Sequence, residues 1–571
     1  MKRFSEFLKK LLRGGAPSKK ALTLLIVTIV VAMIPNFILA STEQYGAWSI
    51  VASILIPIGF YMILLSLIRL TGASVLLGIW IFILCAFQIV LLFLWGQSII
   101  ATDMFTNLIT TNPSEASELL SNLSNAIFTV CIIYGPVLIY AVYASHKHFR
   151  ITKKMRRALI ITGFAVGTIG GLALIPARLI SKESVFLNEV FPANVLYNLT
   201  LSISNHYKVK QYSDTSEDFN YRATRTDNPS DREIYIYIIG EAARAANWSL
   251  YGYNRDTNPM LSKRNDIVLL HNTLTQSNTT HKSVPLLLTS VGAHNHSEIY
   301  NRTGIASIFG DTGFKTYFIS NQTQQGALVD LLADQADERV YIGAPRYDIQ
   351  LLNMMKRIIE SEKEGDLFFI LHCYGSHYAY NLRYPQEFSH FQPDNDIFID
   401  IANKEQFVNS YDNSIRYTDM VLNEIIEYID SLNVYSTLLY CSDHGEDVFD
   451  DERMRFLHAS PTITYHQVHV AAMMWFSDKY RQRYPNRVSA AESNNWSPIT
   501  TYSMFHTMCD AASISSPYID KSVALTNAEF DKHAKRYYLD DHNQAVAFDK
   551  KQIGITNIDK EQFRQHGITQ L

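Results

Sequence analysis

Four polar stretches in the second half of the chain follow apolar runs and carry residues of one chemical kind. Glu241 closes IYIYIIGE, Thr280 lies in SNTTHKSVP, His372 and His377 lie in LHCYGSH, and Asp443 and His444 end LLYCSDHG. Oxygen and imidazole donors gathered from separate strand ends make a zinc-type hydrolase or transferase site. The threonine is the unusual member. A hydroxyl is a weak nucleophile unless a cation lowers the cost of its alkoxide, so a threonine among such ligands points to covalent catalysis and group transfer.

These residues need elements to position them. Apolar strand candidates are Ile234–Ile239, Ile267–Leu270, Thr316–Ser320, Leu367–Leu371, Thr437–Tyr440 and Val470–Phe476, with helical patterns over Ile349–Glu360 and Gln406–Leu432. Strands alternating with helices predict an α/β layered domain with a largely parallel sheet, whose sites form at the carboxyl ends of strands. Glu241, His372 and Asp443-His444 fall at such ends.

The first third of the chain has a different character. Five apolar runs, Ala21–Ala40, Ser49–Ile68, Val75–Trp95, Ala126–Tyr143 and Ala158–Pro176, approach the ~20 residues that cross a bilayer. The first twenty residues hold seven Lys or Arg against one acid, and His146–Arg157 holds six against none. Both belong on the cytoplasmic side by the positive-inside rule. Gly96–Ser124 has Asp103, Glu115 and Glu118 but no basic residue, which places it outside. Five spans then put everything after Pro176 outside the cytoplasm. A cleaved signal peptide ending at Ala40 is the alternative for the first run; four further spans favour an uncleaved anchor.

The expected organisation is a transmembrane domain over 1–180, an amphipathic connector and polar linker over 181–231, and a catalytic domain over 232–571. At 571 residues, 47% hydrophobic and with a net charge of −4, the chain is neither disordered nor a nucleic-acid-coating protein. Five cysteines say little. Cys373 and Cys441 each adjoin a proposed ligand and approach one another if their strands are neighbours; small buried strand residues are the simpler reading.

Read together, GEAARAANWSLYGYNRDTNP, TTHKSVP, YDNSIRYTD, CSDHGE and FLHASP, in that order after five spans, resemble the membrane phosphoethanolamine transferases that modify lipopolysaccharide. That group includes the lipid A and core enzymes and the mobile colistin-resistance enzymes. The resemblance implies an alkaline-phosphatase-like, or sulfatase-like, α/β/α sandwich behind the five transmembrane helices. It implies Zn2+ held by Glu241, Thr280, Asp443 and His444, with Thr280 as the nucleophile that takes up phosphoethanolamine. His377 and His458 match histidines near the phosphoryl group or a second zinc, and His372 a further one. Asn107, Thr111 and Glu115 match polar residues that hold lipid headgroups, although a helix start also explains them. The implied donor is phosphatidylethanolamine, the acceptor lipid A phosphate or a core sugar, and the location the bacterial inner membrane with the catalytic domain in the periplasm. A less anionic outer surface then weakens binding of cationic peptides such as polymyxin.

Departures narrow the match. Ser277 and Leu286 stand where the lipid A and colistin-resistance enzymes have cysteines, and Asn321–Gly326 lacks their lysine; with Glu446-Asp447 these lean toward the core-modifying branch. Two other functions remain open from sequence: a lipoteichoic-acid-synthase-like phosphoglycerol transferase, and a catalytically silent membrane lipid-binding receptor.

Overall fold

A computed structural model describes residues 16–43, 45–95, 99–110, 123–181, 185–324, 326–343, 347–395, 401–450, 455–460, 463–548 and 555–566. Two compact units result, the helices up to residue 202 apart from residues 106–115, and a domain from Ile203 onward with which residues 106–115 are grouped.

In the first unit the apolar runs become helices: α1 (Ala16–Ala32), α2 (Ile34–Thr42), α3 (Ala47–Ser66), α4 (Thr71–Leu77), α5 (Ile79–Trp95), α6 (Ser124–His146) and α7 (Lys153–Ser181). The stretch Ser18–Thr42, α3, α6 and Lys153–Ile180 are each long and apolar enough to cross a membrane. The third expected run is different. It bends by 52° between α4 and α5, so among the described residues there are four such helices, or five if the bent pair is one span. Asn107 falls in the helix Thr102–Thr110, whereas Thr111 and Glu115 lie outside the described residues.

The second unit is built on seven strands: β1 (Glu233–Gly240), β2 (Ile267–Leu269), β3 (Lys315–Ser320), β4 (Glu338–Tyr341), β5 (Leu367–His372), β6 (Tyr435–Ser442) and β7 (Ala472–Phe476). Their order is β2-β7-β6-β1-β5-β3-β4. The β6-β1-β5-β3-β4 run is parallel, and β7 pairs antiparallel with both β6 and β2. Every residue of β1 is buried, as a central parallel strand covered on both faces requires. On one face Tyr235, Tyr237 and Ile239 join a core with Leu286, Phe309 and Met504; on the other Ile234, Ile236 and Ile238 are equally buried.

Two details depart from expectation. Strand β4 has only Val340 and Tyr341 as apolar residues and lies at the sheet edge, so its sequence carries no apolar run. The supposed polar linker is folded onto the domain. Tyr212 and Tyr221 are core residues, and Thr224–Arg225 pairs with Ile514–Ser515.

Candidate active site

Glu241 is the first residue after β1. Gly240 ends that strand because a Cβ there would sit 2.4 Å from the Tyr440 hydroxyl oxygen. Ala242 follows with φ 58°, a conformation costly for a side-chain-bearing residue. It is held there by several bonds. Its N–H donates to Asp443 Oδ1 (3.2 Å), its carbonyl accepts from the Tyr411 hydroxyl (2.6 Å), and Ala243 N–H donates to Ser442 Oγ (2.8 Å).

Asp443 and His444 follow β6, the neighbour of β1, which brings the three residues together. The ligand atoms of Glu241, Asp443 and His444 all lie within 4.8 Å of one another. His444 Nε2 is 3.3 Å from Glu241 Oε1 and 3.4 Å from Asp443 Oδ2. Thr280 comes from a third direction, in the first turn of α8 (Thr280–Leu288). Its Oγ1 lies 3.1 Å from His444 Nε2 and 3.4 Å from Glu241 Oε2. The positive dipole end of this helix favours negative charge on whatever Thr280 carries.

The three acidic and imidazole groups are fully buried, and their titration shows how strongly they interact. Burial would raise Glu241, but the His444 charge more than offsets it and keeps the carboxylate ionised. Asp443, buried and beside the Glu241 charge, is pushed up to about 7. His444 is drawn up to about 10 because Asp443 and Glu241 outweigh its burial. Two buried carboxylates side by side call for a cation. Glu241 Oε1 accepts no hydrogen bond despite being buried. That atom, Asp443, His444 and the Thr280 hydroxyl are an oxygen-and-nitrogen donor set that fits a zinc ion.

The remaining predicted histidines surround this cluster. His458 Nδ1 donates to Glu446 Oε1 (2.8 Å), and its ring lies 4.0 Å from that of His444. It is flanked by Leu457 and Ala459, both at positive φ, which fixes its direction. His444, Glu446 and His458 are a second group able to share an ion. His377 sits in the loop after β5, its ring against Tyr374 and its Nδ1 2.6 Å from Tyr378 O. Gly375 in that loop has φ 47° and approaches Glu241 so closely that a Cβ would meet its carbonyl oxygen at 2.6 Å. His372 ends β5, with Nδ1 3.1 Å from Ser320 Oγ. Cys373 and Cys441 are buried free thiols on either side of β1, because β5 and β6 are not adjacent.

Sequence reasoning passed over three contributors. Ser283, one turn after Thr280, donates to Asp443 Oδ2 (3.2 Å). Gln322 Nε2 donates to Glu241 Oε2 (3.0 Å) and to Cys373 O (2.9 Å), tying β3 to the cluster. Glu446 is held by the Tyr380 hydroxyl as well as His458. Helical spacing from Thr280 points to Ser283, and Glu446 stands inside CSDHGE; nothing local marks Gln322.

Residues 233–514 match the sulfatase family model. The chain carries a sulfatase-family domain. Phosphoethanolamine transferase EptA of Escherichia coli O157:H7 is 31% identical over 275 residues, 45% of this chain and 49% of that protein. The chain spans about half the length of the curated relatives it matches. Among solved structures, the integral membrane lipooligosaccharide phosphoethanolamine transferase A (EptA) of Neisseria meningitidis is 18% identical, covers 88% of this chain and 97% of its own, and has a TM-score of 0.68. The periplasmic domain of EcEptC from Escherichia coli, solved in complex with Zn, is 22% identical over 59% of this chain and 97% of its own, with a TM-score of 0.54. Both likenesses show the fold of this chain. This chain is a membrane protein, with helices long and apolar enough to cross a bilayer before its sulfatase-family domain.

Proposed function

We propose that this protein is a zinc-dependent phosphoethanolamine transferase of the bacterial inner membrane. Its donor is phosphatidylethanolamine, its acceptor is lipid A phosphate or a core sugar of lipopolysaccharide, and its catalytic domain works in the periplasm. The observation that carries this reading is Thr280 Oγ1 at a helix N-terminus, 3.1 Å from His444 and beside buried Glu241. The transferase relatives supply the substrate class.

Zinc held by Glu241, Asp443, His444 and Thr280 would supply a Lewis acid that eases ionisation of the hydroxyl and polarises a phosphoryl oxygen. Thr280 Oγ1 attacks phosphorus as the bond from phosphorus to the diacylglycerol oxygen breaks. The positive dipole end of α8 lies at the charge that develops on the phosphoryl oxygens. His458 has Nδ1 engaged by Glu446, so Nε2 is the nitrogen that exchanges protons. It takes the Thr280 proton and passes it to the departing oxygen. In the second displacement it takes the acceptor proton and returns it to Thr280 as the phospho-threonine is resolved. His377 stands by the phosphoryl charge, and Asn107, Thr111 and Glu115 hold lipid headgroups. One nucleophile serving two lipids in turn is a ping-pong scheme.

Peptide mass spectrometry of the purified full-length protein after incubation with phosphatidylethanolamine tests the reading. A phosphoethanolamine adduct on the Thr280 peptide is expected. Thr280→Ala should lack it and lose transfer by on the order of 10³-fold or more. A phosphoglycerol adduct formed from phosphatidylglycerol in its place would overturn the donor, and no adduct with zinc bound would overturn the activity.

A further inference from the structure

The loop after β5 carries His377 past the cluster, and opposite charges grip its two ends. At its start the carboxylate of Asp348, 5% exposed, accepts from Tyr374 N–H and from Gly375 N–H (2.8 Å each), with Asn321 Nδ2 as a third donor (2.7 Å). Two successive N–H groups turned toward one carboxylate hold the bend at Gly375, whose φ is 47°. Ser376 N–H then donates to Glu241 O (2.9 Å), so the loop lies against the backbone of Glu241.

At the far end stands Arg383, 6% exposed. Its Nε donates to His377 O (2.8 Å) and its Nη2 to Tyr378 O (3.2 Å). Two successive carbonyls suit a planar guanidinium fork better than a single ammonium. The same Tyr378 O lies 2.6 Å from His377 Nδ1. A carbonyl only accepts, so Nδ1 carries the proton there and Nε2 is the nitrogen left for chemistry. The plane of the imidazole is set as well. His377 lies against the Tyr374 ring, centroids 5.3 Å apart, and the Arg383 guanidinium lies 3.9 Å from the centroid of that same ring. One guanidinium therefore reaches the carbonyl of His377, the acceptor of its Nδ1 proton and the ring it packs on.

We propose that Arg383 is the positioning residue for His377: by gripping two successive carbonyls it holds the imidazole with Nδ1 protonated and Nε2 presented to the phosphoryl group. The inference rests on the reading that Thr280 takes up phosphoethanolamine with His377 beside the phosphoryl charge. It deepens that reading by naming what keeps a half-buried loop histidine in one tautomer and one direction. Without the guanidinium, Tyr378 O loses a charged donor and the imidazole is free to turn. Arg383 acts through His377 and touches no substrate.

The test follows formation of the phosphoethanolamine adduct on Thr280 over time by intact-mass spectrometry, with the full-length enzyme in lipid nanodiscs containing phosphatidylethanolamine. Wild type, Arg383→Gln, Arg383→Lys, His377→Ala and the His377→Ala, Arg383→Gln double variant are compared. Arg383→Gln is expected to lower the maximal rate at least about ten-fold, the size of one charge-assisted hydrogen bond, with the half-saturating lipid content nearly unchanged. In the His377→Ala background the same change should cost no more than about two-fold, because the group it acts through is gone. Arg383→Lys, which keeps the charge but serves only one carbonyl, should fall in between, and it replaces the glutamine variant in both backgrounds if that one does not fold. Equal falls in the two backgrounds would show a merely structural guanidinium and overturn the proposal. So would an unchanged rate. Wild type that forms no adduct would sink the functional reading and this inference with it, a result distinct from either ratio.

Discussion

The two units solve close packing by opposite means. In the helical unit backbones touch: a Cβ on Gly59 of α3 would lie 2.6 Å from Gly163 O and 2.7 Å from Gly167 N of α7. In the sheet domain large side chains fill the space instead. Phe309 stacks on Phe368 with ring centroids 3.7 Å apart, and Tyr237 reaches Leu287 O with its hydroxyl at 3.0 Å. The difference follows from the solvent. Lipid tails are as apolar as a leucine, so helices gain by dispersion at short range, which small residues permit. Water rewards each buried aromatic by its area. The same helices expose Ile139, Ile161, Leu172 and Leu179, a surface suited to lipid.

The largest effect should come from putting bulk into the helical contact. Gly59→Leu collides with backbone rather than with a movable side chain, so α3 and α7 are expected to separate and the detergent-solubilised protein to aggregate on size exclusion. Gly171→Leu, on the same helix α7 but with nothing within 4 Å of its Cβ, should remain monodisperse. Equal behaviour of the two variants would break the comparison.

A smaller loss is expected in the sheet domain from Arg244→Ala. The buried guanidinium donates to Asp450 through both Nη atoms (2.6 and 3.0 Å), to Asn247 Oδ1 (2.6 Å) and to Glu446 O (2.9 Å). Removing it takes the guanidinium from a partly exposed Asp450 that keeps Val448 N–H, and should cost about 2–3 kcal/mol in chemical denaturation. No aggregation of the helical unit should accompany it.

The smallest effect is one of pH. Asp419, in the helix Lys404–Ser431, is raised to about 6 by burial, although it accepts from Met260 and Leu261 N–H. A carboxyl raised on folding stabilises fully below its unfolded value near 4, and that contribution is lost as pH climbs through 6. Unfolding free energy of the sheet domain should fall by up to about 3 kcal/mol across that window on this account. Asp419→Asn should flatten the slope, as read by denaturation at pH 4, 5 and 6.

Much of this was legible in the chain. Apolar runs bounded by polar residues located six of the seven strands, and their ends located Glu241, Asp443 and His444, because a buried parallel strand must be apolar throughout. The edge strand Glu338–Tyr341 escaped because one face is open to water, so charge is tolerated there. Tyr212 and Tyr221 escaped because two anchoring rings in a polar stretch leave no period to detect. Gln322 escaped for another reason: its role depends on which strand ends lie side by side, and only the strand order reveals that.

That strand order also sets when the site can exist. Ala242 N–H meets Asp443 Oδ1 across 201 positions of sequence, and β1 has β5 and β6 as its two neighbours. The first-made strand therefore waits for the sixth before its ladder is complete, a long loop closure that slows folding. Until residue 444 has been made, Glu241 has neither Asp443 nor His444 beside it. The cluster is thus a late product of synthesis, and a chain stalled before that point bears an unpaired, strongly apolar β1 edge prone to capture by other strands.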